Sequence, residues 1–209
     1  MEAPGPLREV RSWEEALPDR SADADVLEAM LLTTGEKGYA KTTVREVAER
    51  ARIAQDRFHR RFGNKEACFA RAYEEAAERL AAELYEACRE AADWREGFRA
   101  VLAELLRFVA EQPLVAKALL LEVRAARGGA WASHQRQLER LTAALDTARN
   151  EPGARPGSSP MTAGFIAGAI EETLSLELAA GRGADAERLL PDLTRLAFLQ
   201  LFGEEAATP

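Results

Sequence analysis

KTTVREVAERARIAQDRFHRRFGNK, residues 41–65, is the stretch whose reading decides the fold. Thr43 stands three residues before Glu46, the spacing of a capping box in which each side chain satisfies a backbone amide of the other residue. Val44, Val47 and Ala48 form one apolar face. A second apolar set, Ile53, Phe58 and Phe62, requires a different direction, so the spacing predicts a short helix ending near Ala51 and a second helix after it. The second helix leaves Gln55, Asp56, Arg57, His59 and Arg60 pointing outward. A short helix followed by one that presents polar side chains is the geometry with which a helix-turn-helix reads a DNA major groove.

The charge balance agrees with that geometry. Eight basic residues (Lys41, Arg45, Arg50, Arg52, Arg57, Arg60, Arg61, Lys65) and three acidic ones (Glu46, Glu49, Asp56) give the stretch +5, within a chain of net charge −7. The remainder therefore sums to −12. An acidic protein with one basic patch attracts a polyanion locally and keeps its other faces away from it.

With its flanks included, Asp25 to Glu75 resembles the DNA-binding domain of the TetR family of transcriptional regulators. The landmarks are Gly38-Tyr39, Thr42-Thr43-Val44, Val47-Ala48, Ile53, Phe58, Phe62 and Gly63-Asn64-Lys65-Glu66. The resemblance covers about a quarter of the chain. It implies an all-α fold of about nine helices: a three-helix DNA-binding head and a larger helical domain for ligand binding and dimerisation. It also implies a homodimer that binds a palindromic double-stranded DNA operator and answers to a small-molecule effector, most simply as a repressor. Thr43, Arg57, His59 and Lys65 would touch phosphates, with Thr42 and Arg45 in the same DNA-binding set. Gln55, Asp56 and Arg60 are the candidates for base edges.

Four positions depart from the family pattern. Arg52 stands where the turn usually has Gly, Ala54 where Ser or Thr caps the recognition helix, Asp56 in place of Gly, and His59 in place of Tyr. An Ala cap costs about 0.5–2 kcal/mol relative to Ser. Asp56 favours the helix start through the dipole and could accept a hydrogen bond from a cytosine amino group. These departures keep a second reading open, a helical dimer that binds a small molecule or partner and has lost specific DNA binding.

Composition excludes several classes. Hydrophobic residues are 47% and charged residues 30%, as in an ordinary globular protein. Ala, Leu, Glu and Arg dominate and favour helix. Met1 to Arg20 lacks the apolar core of a secretory signal. The most apolar run, Met161 to Ile170, falls well short of the roughly 20 residues of a membrane span. A cytoplasmic protein without membrane contact is expected, with Cys68 and Cys88 as reduced thiols. No catalytic set, metal set or cofactor motif is expected. Asp56-x-x-His59 lacks the second copy that a di-metal bundle needs. Gly181 to Ala186 matches G-x-G-x-x-A, but a helical pattern precedes it where that motif needs a strand.

Along the chain, residues 1–20 read as a flexible arm, 21–66 as the head, 67–204 as the effector-binding and dimerisation domain, and 205–209 as a tail. Leu27, Met30, Leu31 and Thr34 mark a first helix, and Lys65 to Ala91 a long one. Asp93 caps the next, Pro113 opens another, which fades at Gly128-Gly129, and residues 150–160 (NEPGARPGSSP) form a loop. Phe98, Leu102, Phe108, Trp131, His134, Phe165 and Glu172 are the candidates for lining a ligand cavity. Gly164 and Gly168, with Leu193, Leu196 and Leu199, are the candidates for a dimer seam on the last two helices.

Overall fold

A computed structural model describes residues 23–203. The proposed arm, residues 1–20, and the tail, 205–209, lie outside the described residues. Within them the regular structure is entirely helical. The order is α1 (Ala24–Lys37), a 3₁₀ turn (Tyr39–Lys41), α2 (Val44–Arg50), α3 (Gln55–Phe62), α4 (Lys65–Cys88), α5 (Trp94–Glu111), α6 (Pro113–Lys117), a π turn (Ala118–Glu122), α7 (Val123–Ala126), α8 (Gly128–Asp146), a 3₁₀ turn (Thr147–Asn150), α9 (Thr162–Ala179), a 3₁₀ segment (Gly183–Leu189) and α10 (Leu190–Leu201). Counting residues 113–126 as one continuous helix gives nine helices among the described residues.

The helix ends follow local chemistry. The capping box forms: Thr43 Oγ1 accepts from the Glu46 amide at 3.3 Å, and Glu46 Oε2 accepts from the Thr43 amide at 3.1 Å. Asn64 caps α4 by accepting from the Ala67 amide at 2.8 Å, and Asp93 caps α5 through the Glu96 amide at 2.8 Å. Helix α2 closes in a Schellman motif, with the Arg52 amide on Glu49 O and the Ile53 amide on Ala48 O. That motif holds Arg52 at φ +55°, the left-handed region where Gly is the comfortable residue. The break expected at Gly128-Gly129 occurs one residue earlier, at Arg127, because the glycines open α8. Gly128 has φ +53°, a backbone conformation that favours Gly, and its missing side chain faces the movable end of Glu66 on α4.

One hydrophobic core runs through head and body. In the head Met30, Leu31, Val47, Phe58, Cys68 and Phe69 are fully or almost fully buried. Burial pushes the Cys68 thiol up to about 12, so it is an inert core group. Helix α1 packs against α2 and α4 on one side and against α6 and the π turn on the other. The α1–α6 approach is close enough that a Cβ on Gly35 would lie 2.1 Å from the Leu114 carbonyl oxygen. At the far end of the body, Trp94 stacks on Phe98 with centroids 5.4 Å apart, and Phe198 and Phe202 close the cluster.

Candidate nucleic-acid interface and core cavity

Helix α3 buries Phe58 and Phe62 and exposes Gln55, Asp56, Arg57, His59 and Arg60, so the 3.6-residue period sorts the two sets onto opposite faces. Its N-cap Ala54 gives no side-chain hydrogen bond. His59 Nδ1 lies 3.0 Å from the Gly63 carbonyl, which ties the ring to the end of the helix. Arg57 and Arg60 make no ion pair or hydrogen bond with any described residue.

Much of the remaining positive charge is already engaged. Arg50 donates to Glu36 at 2.5 Å and to Thr33 at 3.3 Å. Arg61 donates to Asp23 at 2.5 Å, and Arg71 meets the other oxygen of that carboxylate at 3.0 Å. The hydrogen bond from Arg61 holds the nearly buried Asp23 carboxyl below its ordinary range, despite opposition from burial. Lys37 pairs with Glu46, and that bond, with those of Thr43, lowers Glu46 to about 2. Arg45 stands 3.8 Å from Glu49, exposed.

Two of the expected contact residues have internal tasks. Thr42 is buried, and its hydroxyl donates to the Gly38 carbonyl at 3.0 Å. Its side chain shapes the turn and is not available to a groove. Lys65 donates to the carbonyls of Tyr39 and Thr42 at 2.8 and 3.1 Å and lies over the Tyr39 ring. Its ammonium pins the 3₁₀ turn to the start of α4, and two of its three hydrogens are used in doing so. Thr43 and Arg45 remain exposed beside α3.

The body encloses a cavity of about 260 Å³. Its walls are Tyr73, Ala77, Leu80, Ala81, Leu84 and Tyr85 of α4, and Val101 and Leu105 of α5. Leu119 and Leu120 of the π turn, residues from His134 to Ala144 of α8, and Ala167, Ile170, Glu171 and Leu174 of α9 complete it. Of the residues expected to line it, His134 alone does so. Phe98 and Leu102 sit on the neighbouring stripe of α5, in the core with Phe108. Trp131 stacks behind His134 with centroids 5.1 Å apart. Phe165 faces outward. Glu172 lies on the surface near Arg124, and its neighbour Glu171 turns inward instead. A one-residue step on a helix moves a side chain by about 100°, and sequence alone did not set that phase.

Beyond the cavity, α9 and α10 carry an uncovered apolar face. Met161 is 79% exposed, Phe165 70%, Leu176 60% and Leu196 58%. Gly168 is exposed on α9 with open space before it, Gly164 is exposed but points toward Thr142 of α8, and Leu199 is half-buried. Leu193, expected there, is instead buried in the chain's own core.

Residues 27–72 match the profile of the bacterial regulatory proteins of the tetR family. No curated protein sequence matches the chain. Several solved structures share its fold. The transcriptional regulator FadR from Bacillus subtilis, in complex with stearoyl-CoA, is 19% identical, with 87% of this chain and 98% of that one covered at a TM-score of 0.74. The fatty acid degradation regulator FadR from Bacillus halodurans is 18% identical, with coverage of 83% and 96% and a TM-score of 0.74. SmeT, repressor of the Stenotrophomonas maltophilia multidrug efflux pump SmeDEF, is 19% identical, with coverage of 91% and 94% and a TM-score of 0.71. Residues 27–72 thus match the bacterial regulatory proteins of the tetR family, and the chain as a whole has the all-helical TetR-like fold.

Proposed function

We propose that this chain is a homodimeric transcriptional regulator that binds a palindromic DNA operator and responds to a small molecule held in its body, acting as a repressor in the cytoplasm and not as an enzyme. The observation that carries this reading is the outer face of α3. Arg57 and Arg60 there have no ion-pair partner among the described residues, and stand beside Gln55, Asp56 and His59, with Thr43 and Arg45 next to them. Unpaired cations supply phosphate attraction, and the mixed polar set supplies donors and acceptors for base edges. In domain terms, residues 21–66 are the reading head and 67–204 the responding and dimerising body.

The route between cavity and head is short. Leu119 and Leu120 of the π turn line the cavity, and two residues later Glu122 accepts from the Tyr39 amide at 2.7 Å. That amide opens the 3₁₀ turn that Lys65 holds from the other side. A ligand that favours one arrangement of the π turn therefore biases the orientation of α2 and α3. The apolar face of α9 and α10 fits a dimer seam, with Phe165, Leu176, Leu196 and Leu199 meeting across it and Gly168 allowing close approach. Such a dimer would present two α3 helices to half-sites about 34–36 Å apart or to a longer spacing. The FadR structure bound to stearoyl-CoA and the efflux-pump repressor SmeT have the same fold and support this class of function.

Selection of bound DNA from a random library tests the reading. Enrichment of a palindrome that requires Arg57 and Arg60 is the expected result. Absence of enrichment at low salt would favour the partner-binding alternative, which the uncapped Ala54 and the acidic Asp56 on α3 motivate. Sedimentation of Gly168→Leu tests the seam: an intact dimer would place it elsewhere.

A further inference from the structure

Four polar side chains from four helices form one hydrogen-bonded line along a wall of the body cavity, buried at Tyr73 and His134 and reaching the surface at Arg124. The Tyr73 hydroxyl on α4 lies 3.0 Å from Nδ1 of His134 on α8. His134 Nε2 lies 3.2 Å from Glu171 Oε1 on α9, and Arg124 of α7 donates to that same oxygen at 2.8 Å. Tyr73, His134 and Glu171 all line the cavity, and most of the other lining groups are hydrocarbon. Tyr73 and His134 are the buried members of the line, and the hydrocarbon lining becomes half-exposed away from them toward Leu84, Tyr85 and Leu141.

The donors and acceptors in this line limit what can meet it. Burial pushes the Glu171 carboxyl up, but the hydrogen bonds from His134 and Arg124 outweigh burial and keep it charged. A carboxylate only accepts, so His134 Nε2 carries a hydrogen. With a neutral imidazole, Nδ1 then accepts from Tyr73, and the phenol oxygen is left with lone pairs alone. With an imidazolium, Nδ1 donates to the phenol oxygen and the Tyr73 hydrogen is released. A hydroxyl group on a ligand serves both states, donating in the first and accepting in the second. A carboxylate cannot donate, and it would be brought up to Glu171. A cation would add an uncompensated charge to a hydrocarbon chamber, because Arg124 already faces that glutamate.

We propose that the cavity takes a neutral hydroxylated hydrocarbon, an alcohol or phenol whose hydroxyl meets Tyr73 and whose apolar body lies between α4, α5 and α8. The proposal rests on the reading of this cavity as the effector site. At about 30 Å³ per small unit, the cavity holds on the order of nine non-hydrogen atoms, with longer chains continuing toward the half-exposed end. Arg140 lines the cavity and is exposed, in the field of Glu78.

The test uses the full-length protein and four C8 probes that differ only at one end: octane, octan-1-ol, octanoate and octylammonium. Calorimetry should show octan-1-ol binding about three- to tenfold more tightly than octane, the worth of one hydrogen bond. Tyr73→Phe should abolish that preference and leave octane unchanged. Leu138→Trp, which fills the chamber, should abolish binding of all four. As a check that does not depend on Tyr73, Glu171→Gln should raise octanoate binding relative to octan-1-ol, and an unchanged ratio overturns the proposal. A wild-type preference for octanoate or octylammonium also overturns it while leaving the cavity as a binding site. Binding of none of the four to the folded protein overturns the effector-site reading together with the proposal.

Discussion

In the head, three helices close around Phe58 and Phe62, with a capping box on α2 and ion pairs from Arg50 and Arg61 tying α2 and α3 to the α1 region. In the body, longer helices with more apolar surface leave a chamber of about 260 Å³ and an uncovered face on α9 and α10. Under the proposed function, a tied head would hold α3 in one geometry for base reading, and a hollow body would exchange apolar contacts within itself for contacts with a ligand. The two meet where Gly35 touches Leu114 and Glu122 holds Tyr39, and substitutions there and in the head can break or sharpen the contrast.

The largest effect is expected at the joint. A methyl group on Gly35 has no room against the Leu114 backbone, so Gly35→Ala must separate α1 from α6. Overpacking against backbone should cost about 3 kcal/mol, a fall in Tm of roughly 6–12 °C for a chain of this size. An unchanged melting curve would mean that head and body are not packed together in this way.

Next come the charges of the head, which divide into readers and ties. Arg60→Ala should cost about 1–3 kcal/mol in operator binding and relax preference at one position of each half-site. Arg57→Ala should make the log–log salt dependence shallower by about one unit. Lys65→Ala should lower stability by about 1–3 kcal/mol with a smaller change in salt slope, because its ammonium is spent on two carbonyls. If Lys65→Ala changes the slope as much as Arg57→Ala and leaves stability alone, the division fails.

The Asp23 cluster gives the pH dependence. Its folded-state acidity is increased by Arg61 and Arg71, so its contribution to stability is fully present above the unfolded value of about 3.9 and is lost as pH falls through the lower folded value. Asp23→Asn should therefore cost about 1–3 kcal/mol near neutrality, and the gap from the wild type should shrink below pH 4. A gap that persists into strong acid would assign the loss to packing rather than charge.

The smallest effects test the departures around α3. Ala54→Ser should add a cap worth about 0.5–2 kcal/mol. Arg52→Gly should relieve the left-handed backbone and gain at most about 1 kcal/mol, offset in part by chain entropy. Denaturant titration resolves both. A loss from Arg52→Gly would show that its side chain makes a contact worth more than the strain.

The helix-turn-helix could be read from residues 41–65 because its determinants are local. A capping box, a 3.6-residue apolar period and a glycine stop each act within one turn of helix. The same holds for Asp93 at the start of α5 and Pro113 at the start of α6. Side-chain orientation in the body was not local. The apolar residues of α5 cover a broad stripe, and packing partners far along the chain decided that Phe98 and Leu102 fill the core while Val101 and Leu105 line the chamber. The inward turn of Glu171 rather than Glu172 rests on His134 and Arg124, which lie 37 and 47 residues away. The engagement of Lys65 was hidden for the same reason, since the carbonyls that claim it lie 26 and 23 residues away. Local spacing therefore determined which elements form and where they begin and end. Tertiary packing decided which face of each element turns inward, because that choice depends on where distant atoms leave space or supply a hydrogen-bond partner.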